Sequence, residues 1–183
     1  MPELPEAEVA ARQLRERVVG ATVRDCWIGR EDIVREGLPS LEQYRQAKIA
    51  GVERKGKSVI LHFLCGKEPR FLVAELGMTG LLLFRSTLTK HPQHTHFILH
   101  LDGCCEPDIR YWNPRRFGRL SLLDRAGLDR YVARRFGHDP LTISHEKFLR
   151  VLRATRSRLK SLLMHQQVIA GSGNIYANEI LFR

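Results

Sequence analysis

The first residues of the chain have side chains and a backbone nitrogen that could do covalent chemistry. If Met1 is removed, Pro2 becomes a secondary amine at the chain end, and an α-amino group has an unperturbed pKa of about 8. Part of this amine is therefore uncharged near neutral pH. Its attack on a sugar C1′ gives an iminium, an electron sink for eliminating the 3′-phosphate. The adjacent Glu3 carboxylate is placed to shuttle protons. The alternative is that two prolines merely stiffen a terminus before a helix, and these residues alone favour that alternative.

The charge of the chain indicates a polyanionic partner. Lys and Arg number 30 against 20 Asp and Glu, which gives a formal net charge of +10 over 183 residues. Neutralising phosphates releases counterions and drives binding, so nucleic acid is one explanation. A solvated basic surface that keeps the protein soluble is the other, and charge alone does not decide between them.

Composition limits the remaining classes of protein. No apolar run approaches the roughly 18 residues that span a bilayer, and the N-terminus is acidic and interrupted by prolines. We therefore expect no membrane span, no signal peptide and an intracellular, cytoplasmic protein. The four cysteines form no Cys-x-x-Cys pair, so we expect them to be reduced and without a metal: Cys26, Cys65, Cys104 and Cys105.

Hydrophobic patterning divides the chain into a β-rich part and a helical part. A helix is expected from about Ala7 to a stop at Gly20, after the two prolines. Short β-type runs follow at residues 57–64, 71–76, 81–84, 94–101 and 109–112. Helical periodicity then appears at residues 144–154, 159–167 and 174–182. The prediction is an α+β protein: an N-terminal helix with an antiparallel β-sandwich (residues 1–130), then a partial helical domain (residues 131–183).

Five short motifs occur in order along the chain and carry a family resemblance. They are Met-Pro-Glu-Leu-Pro-Glu at residues 1–6, Arg-Lys-Gly-Lys at 54–57, Leu-Gly-Met-Thr-Gly at 76–80, Pro-Arg-Arg-Phe-Gly at 114–118 and Gly-Ser-Gly-Asn-Ile-Tyr-Ala at 171–177. Any one of these motifs, taken alone, could be explained by a structural role. The ordered set, which spans essentially the whole chain, resembles the formamidopyrimidine-DNA glycosylase family of base-excision repair enzymes, with its helix-two-turns-helix domain.

The resemblance implies a DNA glycosylase and abasic-site lyase. Pro2 would be the nucleophile, Glu3 the acid and base, Glu6 a carboxylate that orients the sugar or the other groups, and Lys57 a proton donor on the phosphate side. The bond to the damaged base would break first, and β- and δ-elimination would follow through a Schiff base. Leu4 matches the branch that acts on oxidised purines such as 8-oxoguanine and formamidopyrimidines.

The resemblance also implies a set of DNA-binding residues. An enzyme that extrudes a nucleotide has to fill the hole that it leaves, and Met78, Arg115 and Phe117 would do so. By residue type alone, Met78 and Phe117 would more often belong to a core. The glycine-rich turn before Asn174 would offer free amides at a helix N-terminus. The remaining residues would contact the DNA backbone: His94, Arg116, Arg156, Lys160 and Asn174. His94 and His96, alternating on one strand, are less well explained as a zinc pair.

Several departures from the family pattern leave a second function open. The four-cysteine zinc finger of the family is not in this sequence, so no cofactor is expected. Glu75 stands where the family usually has a phosphate-contacting histidine, and we expect its carboxylate to repel DNA. Asn113 and His165 each replace an aspartate. A truncated, non-catalytic DNA-binding remnant is therefore the alternative, as it would be if Met1 were retained. The expected partner in either case is damaged double-stranded DNA, bound by a nucleoid-associated monomer without a membrane.

Overall fold

The N-terminal helix begins earlier than its periodicity predicts. The structure, a computed structural model, describes residues 2–66, 68–85 and 92–183, so Met1 lies outside it. Helix α1 covers Leu4–Val18 and includes Pro5 in its first turn. The expected start at Ala7 was wrong because a proline in the first helical turn lacks only an N–H that would have no partner inside the helix.

Nine strands of the described residues form one hydrogen-bonded sheet in the order β2-β9-β5-β4-β3-β1-β7-β8-β6. All neighbours are antiparallel except β2 and β9, which are parallel. The expected runs appear with ends shifted by a few residues. The strands are β1 (Thr22–Ile28), β2 (Val34–Glu36), β3 (Lys48–Lys55), β4 (Ser58–Cys65), β5 (Glu68–Glu75), β6 (Leu81–Phe84), β7 (Thr95–Asp102), β8 (Asp108–Trp112) and β9 (Leu120–Leu123).

The sheet folds over a single main core, which gives it the layered character of a sandwich. Leu14 of α1, Phe63 of β4, Phe97 of β7 and Leu120 of β9 all belong to one cluster of buried residues. Strands from both ends of the strand order thus face the same interior. The mixed α+β class is confirmed, although the two layers belong to one continuous sheet.

A helix that the sequence analysis did not predict covers the other face of the sheet. Helix α2 (Arg125–Arg135) begins after Asp124, whose carboxylate accepts a hydrogen bond of 2.7 Å from the Gly127 amide. Its Leu128 and Tyr131 pack on Ile60 and neighbouring residues in a second buried cluster. Alternate residues of β4 therefore serve two cores, as the pleat of a strand requires.

Three short helices follow, and their positions match the helical periodicity. They are α3 (His145–Arg153), α4 (Leu159–Met164) and α5 (Asn174–Phe182). Ser144 accepts a hydrogen bond from the Lys147 amide and so caps α3. In the part of the chain that the structure describes, no helix combines the length and apolar character needed to cross a bilayer. The division into residues 1–130 and 131–183 stays a prediction.

We expect Leu128→Ala to lower the free energy of unfolding by about 2–5 kcal/mol, because it leaves a cavity between α2 and the sheet. Leu128 is only 3% exposed, whereas its neighbour Asp129 is exposed. Asp129→Ala is the matched control, with an expected change within about 0.5 kcal/mol. Urea denaturation measures both. Equal effects of the two substitutions would mean that α2 does not pack on the sheet as described.

Candidate functional site

The Glu3 carboxylate is the centre of the site. Glu3 is fully buried, and its two oxygens accept hydrogen bonds from the amides of Gly173 at 2.8 Å, Ile175 at 2.9 Å and Tyr176 at 3.2 Å. These amides stand at the N-terminus of α5, where backbone N–H groups lack partners within the helix. The carboxylate therefore satisfies the helix terminus, and the positive end of the helix dipole favours its charge.

This arrangement corrects one expectation from the sequence. The glycine-rich turn was predicted to present free amides to a DNA phosphate, but the amides of Gly173, Ile175 and Tyr176 face Glu3. A buried carboxylate needs these donors more than a solvated phosphate does, since an unpaired buried charge is costly. Asn174 is exposed, and its side chain remains available for the predicted DNA contact.

The glycines of the turn make room for the catalytic candidates. A Cβ on Gly173 would lie 2.4 Å from the Glu3 carboxyl carbon and 2.7 Å from Lys57 Nζ. Gly171 has φ +110° and packs against Leu4, whose amide donates to the Gly171 carbonyl at 3.0 Å. The glycines thus let the turn approach the start of the chain closely.

Lys57 lies beside Glu3 at the tip of a hairpin. It belongs to the two-residue turn between β3 and β4, in which Lys55 pairs with Ser58. Burial lowers the pKa of Lys57, and the negative charge of Glu3 acts in the opposite direction. A half-buried ammonium next to a carboxylate, with a proton easier to release than usual, suits a proton donor.

Arg54 holds the Lys57 turn in place. Its guanidinium donates to Glu8 of α1 at 2.8 Å, to Asp139 at 2.5 Å and to the Gly56 carbonyl at 3.1 Å. The side chain is only 5% exposed, and its hydrogen bond is the main cause that lowers the pKa of Glu8. The sequence did not indicate this role, because the partners Glu8 and Asp139 lie far from Arg54 along the chain.

Gln166 is a second positioning residue that the sequence did not reveal. Its side-chain oxygen accepts from the Gly171 amide at 2.8 Å, and its amide nitrogen donates to the carbonyls of Met164 and Ser172. The side chain therefore bridges the glycine turn from within. No spacing or periodicity signals such a contact, since it depends on how the turn folds back.

The remaining catalytic candidates lie at the same end of the molecule. The Glu6 carboxylate accepts a hydrogen bond of 3.0 Å from the Glu3 amide and is exposed to solvent. Pro2 is partly exposed next to the buried Glu3. The structure thus brings together Pro2, Glu3, Glu6 and Lys57, as the sequence resemblance implied.

The two loops of the proposed void-filling residues pack against each other. A Cβ on Gly77 would lie 2.5 Å from the Gly118 amide nitrogen, so the loop of Met78 touches the loop of Phe117. Both side chains are exposed, Met78 at 38% and Phe117 at 56%, which excludes the core alternative for them. The Arg115 guanidinium lies over the Phe117 ring at 4.8 Å, a cation–π contact on the surface.

Asn113 explains one departure from the family pattern. It is fully buried, and its side-chain oxygen accepts from the Arg116 amide at 3.0 Å and the Thr79 hydroxyl at 3.2 Å. Its amide nitrogen donates at 3.0 Å to the Tyr111 hydroxyl, which in turn donates to the Glu75 carbonyl. An ionised aspartate has no donor for that tyrosine. The asparagine therefore completes the network that joins the two loops.

The two histidines do not alternate on one strand, contrary to the sequence expectation, although both line one pocket. His94 ends a one-turn 3-10 helix before β7 and meets the Trp112 ring edge-on at 6.0 Å. His96 is buried with its Nε2 3.0 Å from the Asn113 carbonyl, and burial is the main cause that lowers its pKa. Among residues 2–66, 68–85 and 92–183, no group of three or more His, Cys, Asp or Glu could hold a metal ion.

The basic residues of the helical part are on the surface. Arg156 is exposed in the segment between α3 and α4, and Lys160 is partly exposed in the first turn of α4. Both precede the glycine turn along the chain. Their contact with DNA stays a prediction.

Glu75 does not act as the isolated repulsive charge that the sequence suggested. Its carboxylate accepts hydrogen bonds from Arg35 at 2.5 Å and from the Tyr131 hydroxyl at 2.9 Å, and it forms an ion pair with Arg135 at 2.9 Å. That expectation considered the carboxylate without these partners, which come from β2 and from the unpredicted helix α2.

Comparison with known proteins places this geometry in a family. The sequence profile of the formamidopyrimidine-DNA glycosylase N-terminal domain matches residues 1–120, and the profile of the H2TH domain of the same enzymes matches residues 136–183. The formamidopyrimidine-DNA glycosylase of Thermomicrobium roseum is 37% identical across the whole chain, which covers 68% of that relative. The enzyme of Thermus thermophilus is 38% identical across the whole chain, which covers 64% of it.

Solved structures agree with the sequence comparison. The Lactococcus lactis glycosylase, bound non-covalently to DNA containing an abasic site, superposes with a TM-score of 0.82 at 26% identity, over 98% of this chain and 68% of that one. The MutM (Fpg) protein of Thermus thermophilus superposes with a TM-score of 0.81 at 35% identity, over all of this chain and 64% of that one. The fold and the site thus define a DNA-glycosylase scaffold with a helix-two-turns-helix domain.

The chain belongs to the formamidopyrimidine-DNA glycosylase family. It spans about two thirds of the length of the curated relatives that it matches.

We expect Gly173→Ala to destabilise the site through steric overlap alone. Gly173 has φ −124°, which any residue adopts, so the added Cβ acts only by its clash with Glu3 and Lys57. A loss of about 1–3 kcal/mol is expected, with faster hydrogen exchange of the Ile175 and Tyr176 amides. Gly51→Ala is the matched control, since a Cβ there meets nothing within 4 Å. Unchanged exchange in the Gly173 variant would contradict the described cap.

Proposed function

We propose that this protein excises damaged bases from double-stranded DNA and cleaves the strand at the resulting abasic site. The observation that carries the proposal is the juxtaposition at the start of the chain. Glu3, next to Pro2, is fixed by three backbone amides, and both Glu3 and Lys57 lie against Gly173. A nucleophile, a positioned carboxylate and a nearby cation are the groups that the reaction needs.

The reaction begins at the imino nitrogen of Pro2, free once Met1 is removed. Its lone pair attacks C1′, the bond to the base breaks, and the base leaves with a proton. Opening of the sugar ring gives an iminium that withdraws electrons from C2′. Loss of a C2′ proton then expels the 3′-phosphate, and a second elimination expels the 5′-phosphate. Hydrolysis of the iminium frees Pro2.

The other groups divide the proton transfers among them. Glu3 has little freedom to rotate because three amides hold its oxygens, so its carboxylate keeps a fixed position relative to the neighbouring Pro2. Glu6 orients the Glu3 backbone. Lys57 donates a proton on the phosphate side, which its lowered pKa favours.

The surface loops support the extrusion of a nucleotide. In the proposal Met78, Arg115 and Phe117 enter the space that the nucleotide leaves; Met78 and Phe117 are exposed, and Arg115 stacks on the Phe117 ring. His94, Arg116, Arg156, Lys160 and the Asn174 side chain supply the DNA-backbone contacts of the proposal. We propose that the protein acts as a monomer.

Oxidised purines are the proposed substrates. One solved relative, the Lactococcus lactis Fpg, was captured with DNA that contains an N7-benzyl-Fapy-dG lesion. Leu4, which matches the purine-specific branch, is 7% exposed and packs against Gly171. Any effect of Leu4 on lesion choice therefore acts through the position of the turn, because its side chain is not free to touch a base.

Borohydride trapping on a duplex with one abasic site tests the covalent step. We expect a stable protein–DNA adduct, because reduction fixes the iminium at Pro2. The adduct should be lost or strongly reduced in Pro2→Gly, which removes the constrained secondary amine. Gel mobility and the intact mass of the adduct measure the result, and the mass of the free protein shows whether Met1 is present.

Pro5→Gly is the matched control, since Pro5 also lies in the first turns but has no free nitrogen. DNA binding without an adduct, by a protein whose mass lacks Met1, would replace the enzyme with a non-catalytic DNA-binding protein. An adduct that survives unchanged in Pro2→Gly and maps to a lysine by peptide mass would assign the nucleophile to another amine.

We expect Arg115→Ala to reduce extrusion of the damaged nucleotide more than non-specific DNA binding. In the proposal the guanidinium fills the void and stacks on Phe117, whereas non-specific affinity is shared among many basic residues, so the loss of one charge lowers it by less. Fluorescence of 2-aminopurine opposite the lesion reports extrusion, and titration with undamaged duplex reports binding. Equal losses in the two measurements would remove Arg115 from the void-filling role.

A further inference from the structure

Glu75 organises two arginines that the chemistry proposed above does not use. One oxygen of its carboxylate accepts hydrogen bonds from Arg35 and from the Tyr131 hydroxyl and forms an ion pair with Arg135. The Glu75 side chain is 14% exposed, while those of Arg35 and Arg135 are 39% and 40% exposed. The carboxylate is thus enclosed and the two guanidiniums reach solvent.

The Arg35–Glu75–Arg135 cluster has a net charge of +1 and donors directed away from Glu75. Each guanidinium carries five N–H groups in a planar fork, and one nitrogen of each points to Glu75. The Arg135 guanidinium also lies over the Tyr131 ring at 4.9 Å, which fixes its plane. Two guanidiniums held in this way suit a phosphate oxygen pair, which arginine binds in bidentate fashion.

The position of the cluster connects it with the reacting groups. Arg135 and Glu75 line a groove together with Lys57 and Gly77, which precedes Met78. Arg135 also lines an adjoining groove, together with Arg35 and Tyr131. Arg135 therefore stands where the groove of the proposed catalytic lysine opens into a second, arginine-lined one.

We propose that Arg35 and Arg135, held by Glu75, bind a backbone phosphate of the DNA strand that flanks the nucleotide at Pro2. This path of the DNA strand rests on the proposed function, because that function places the reacting nucleotide at the end of the groove where Lys57 lies. Glu75 is the positioning residue, and the two arginines make the contact. The carboxylate thus increases DNA affinity by ordering two cations, although it carries the same sign of charge as the phosphate.

The salt dependence of DNA binding tests the arginine contact. The probe is a duplex with a tetrahydrofuran abasic-site analogue, which cannot form the iminium, so binding is measured apart from chemistry. For Arg135→Gln we expect a roughly tenfold weaker Kd and a slope of log K against log salt that is smaller by about one. Arg130→Gln is the matched control: it removes the same charge from an exposed position of the same helix that lines neither groove.

The Glu75→Gln variant distinguishes two effects of Glu75 on DNA binding: the ordering of Arg35 and Arg135, and the negative charge that Glu75 itself carries. Removing a negative charge should tighten DNA binding if only net charge matters. If Glu75 orders the arginines, the variant should bind the same duplex more weakly than the wild type. Thermal unfolding of each variant confirms that the fold is retained. Tighter binding by Glu75→Gln, or equal losses in Arg135→Gln and Arg130→Gln, would overturn the proposal.

The binding experiments on the arginine cluster and the borohydride trapping of the covalent step can fail independently of each other. If the wild type binds the analogue through Arg135 but gives no borohydride adduct on an abasic duplex, the cluster stands and the lyase function fails. If the adduct forms and the Arg135 substitution leaves affinity and salt slope unchanged, the lyase stands and the cluster fails.

Discussion

The contact between the Glu3 carboxylate and the N-terminus of α5 is the constraint on which the site depends. It joins the start of the chain to amides that lie 170 to 173 residues later. A buried carboxylate without these donors would be an uncompensated charge, a defect that costs about 3–5 kcal/mol when one partner of a buried pair is removed. The terminus that carries Pro2 is therefore fixed to the helix-two-turns-helix segment by electrostatics as much as by packing.

Other contacts are arranged around this one. The glycines at 171 and 173 leave space for Leu4, Glu3 and Lys57, and Gln166 bridges the turn that contains them. Arg54 ties α1, the β3–β4 turn and Asp139 together with a nearly buried guanidinium. Three distant parts of the sequence thus meet in one pocket, and each interaction limits how far the nucleophile and the lysine can move apart.

The sequence predicts those features that depend on local pattern. Strands β4 to β8 and helices α3 to α5 follow from the pattern of apolar residues, and the glycine motif indicates a tight turn. Helix α2 is missed because four arginines within Arg125–Arg135 mask an apolar face carried mainly by Leu128 and Tyr131. The Glu3 cap and the partners of Glu75 are missed for another reason: they join residues far apart in sequence, which no local pattern records.

The effect of an acidic side chain on DNA binding near the groove depends on the cations that it contacts, and a count of charged residues does not show it. Three acidic residues around the site each have partners: Glu3 has the helix amides beside Lys57, Glu8 has Arg54 and Arg12, and Glu75 has Arg35 and Arg135. A carboxylate paired in this way exerts little repulsion on a phosphate and fixes the cations that attract one. By its charge alone, Glu75 would be unfavourable for DNA binding. With its partners it belongs to the surface of a protein whose formal net charge of +10 attracts DNA.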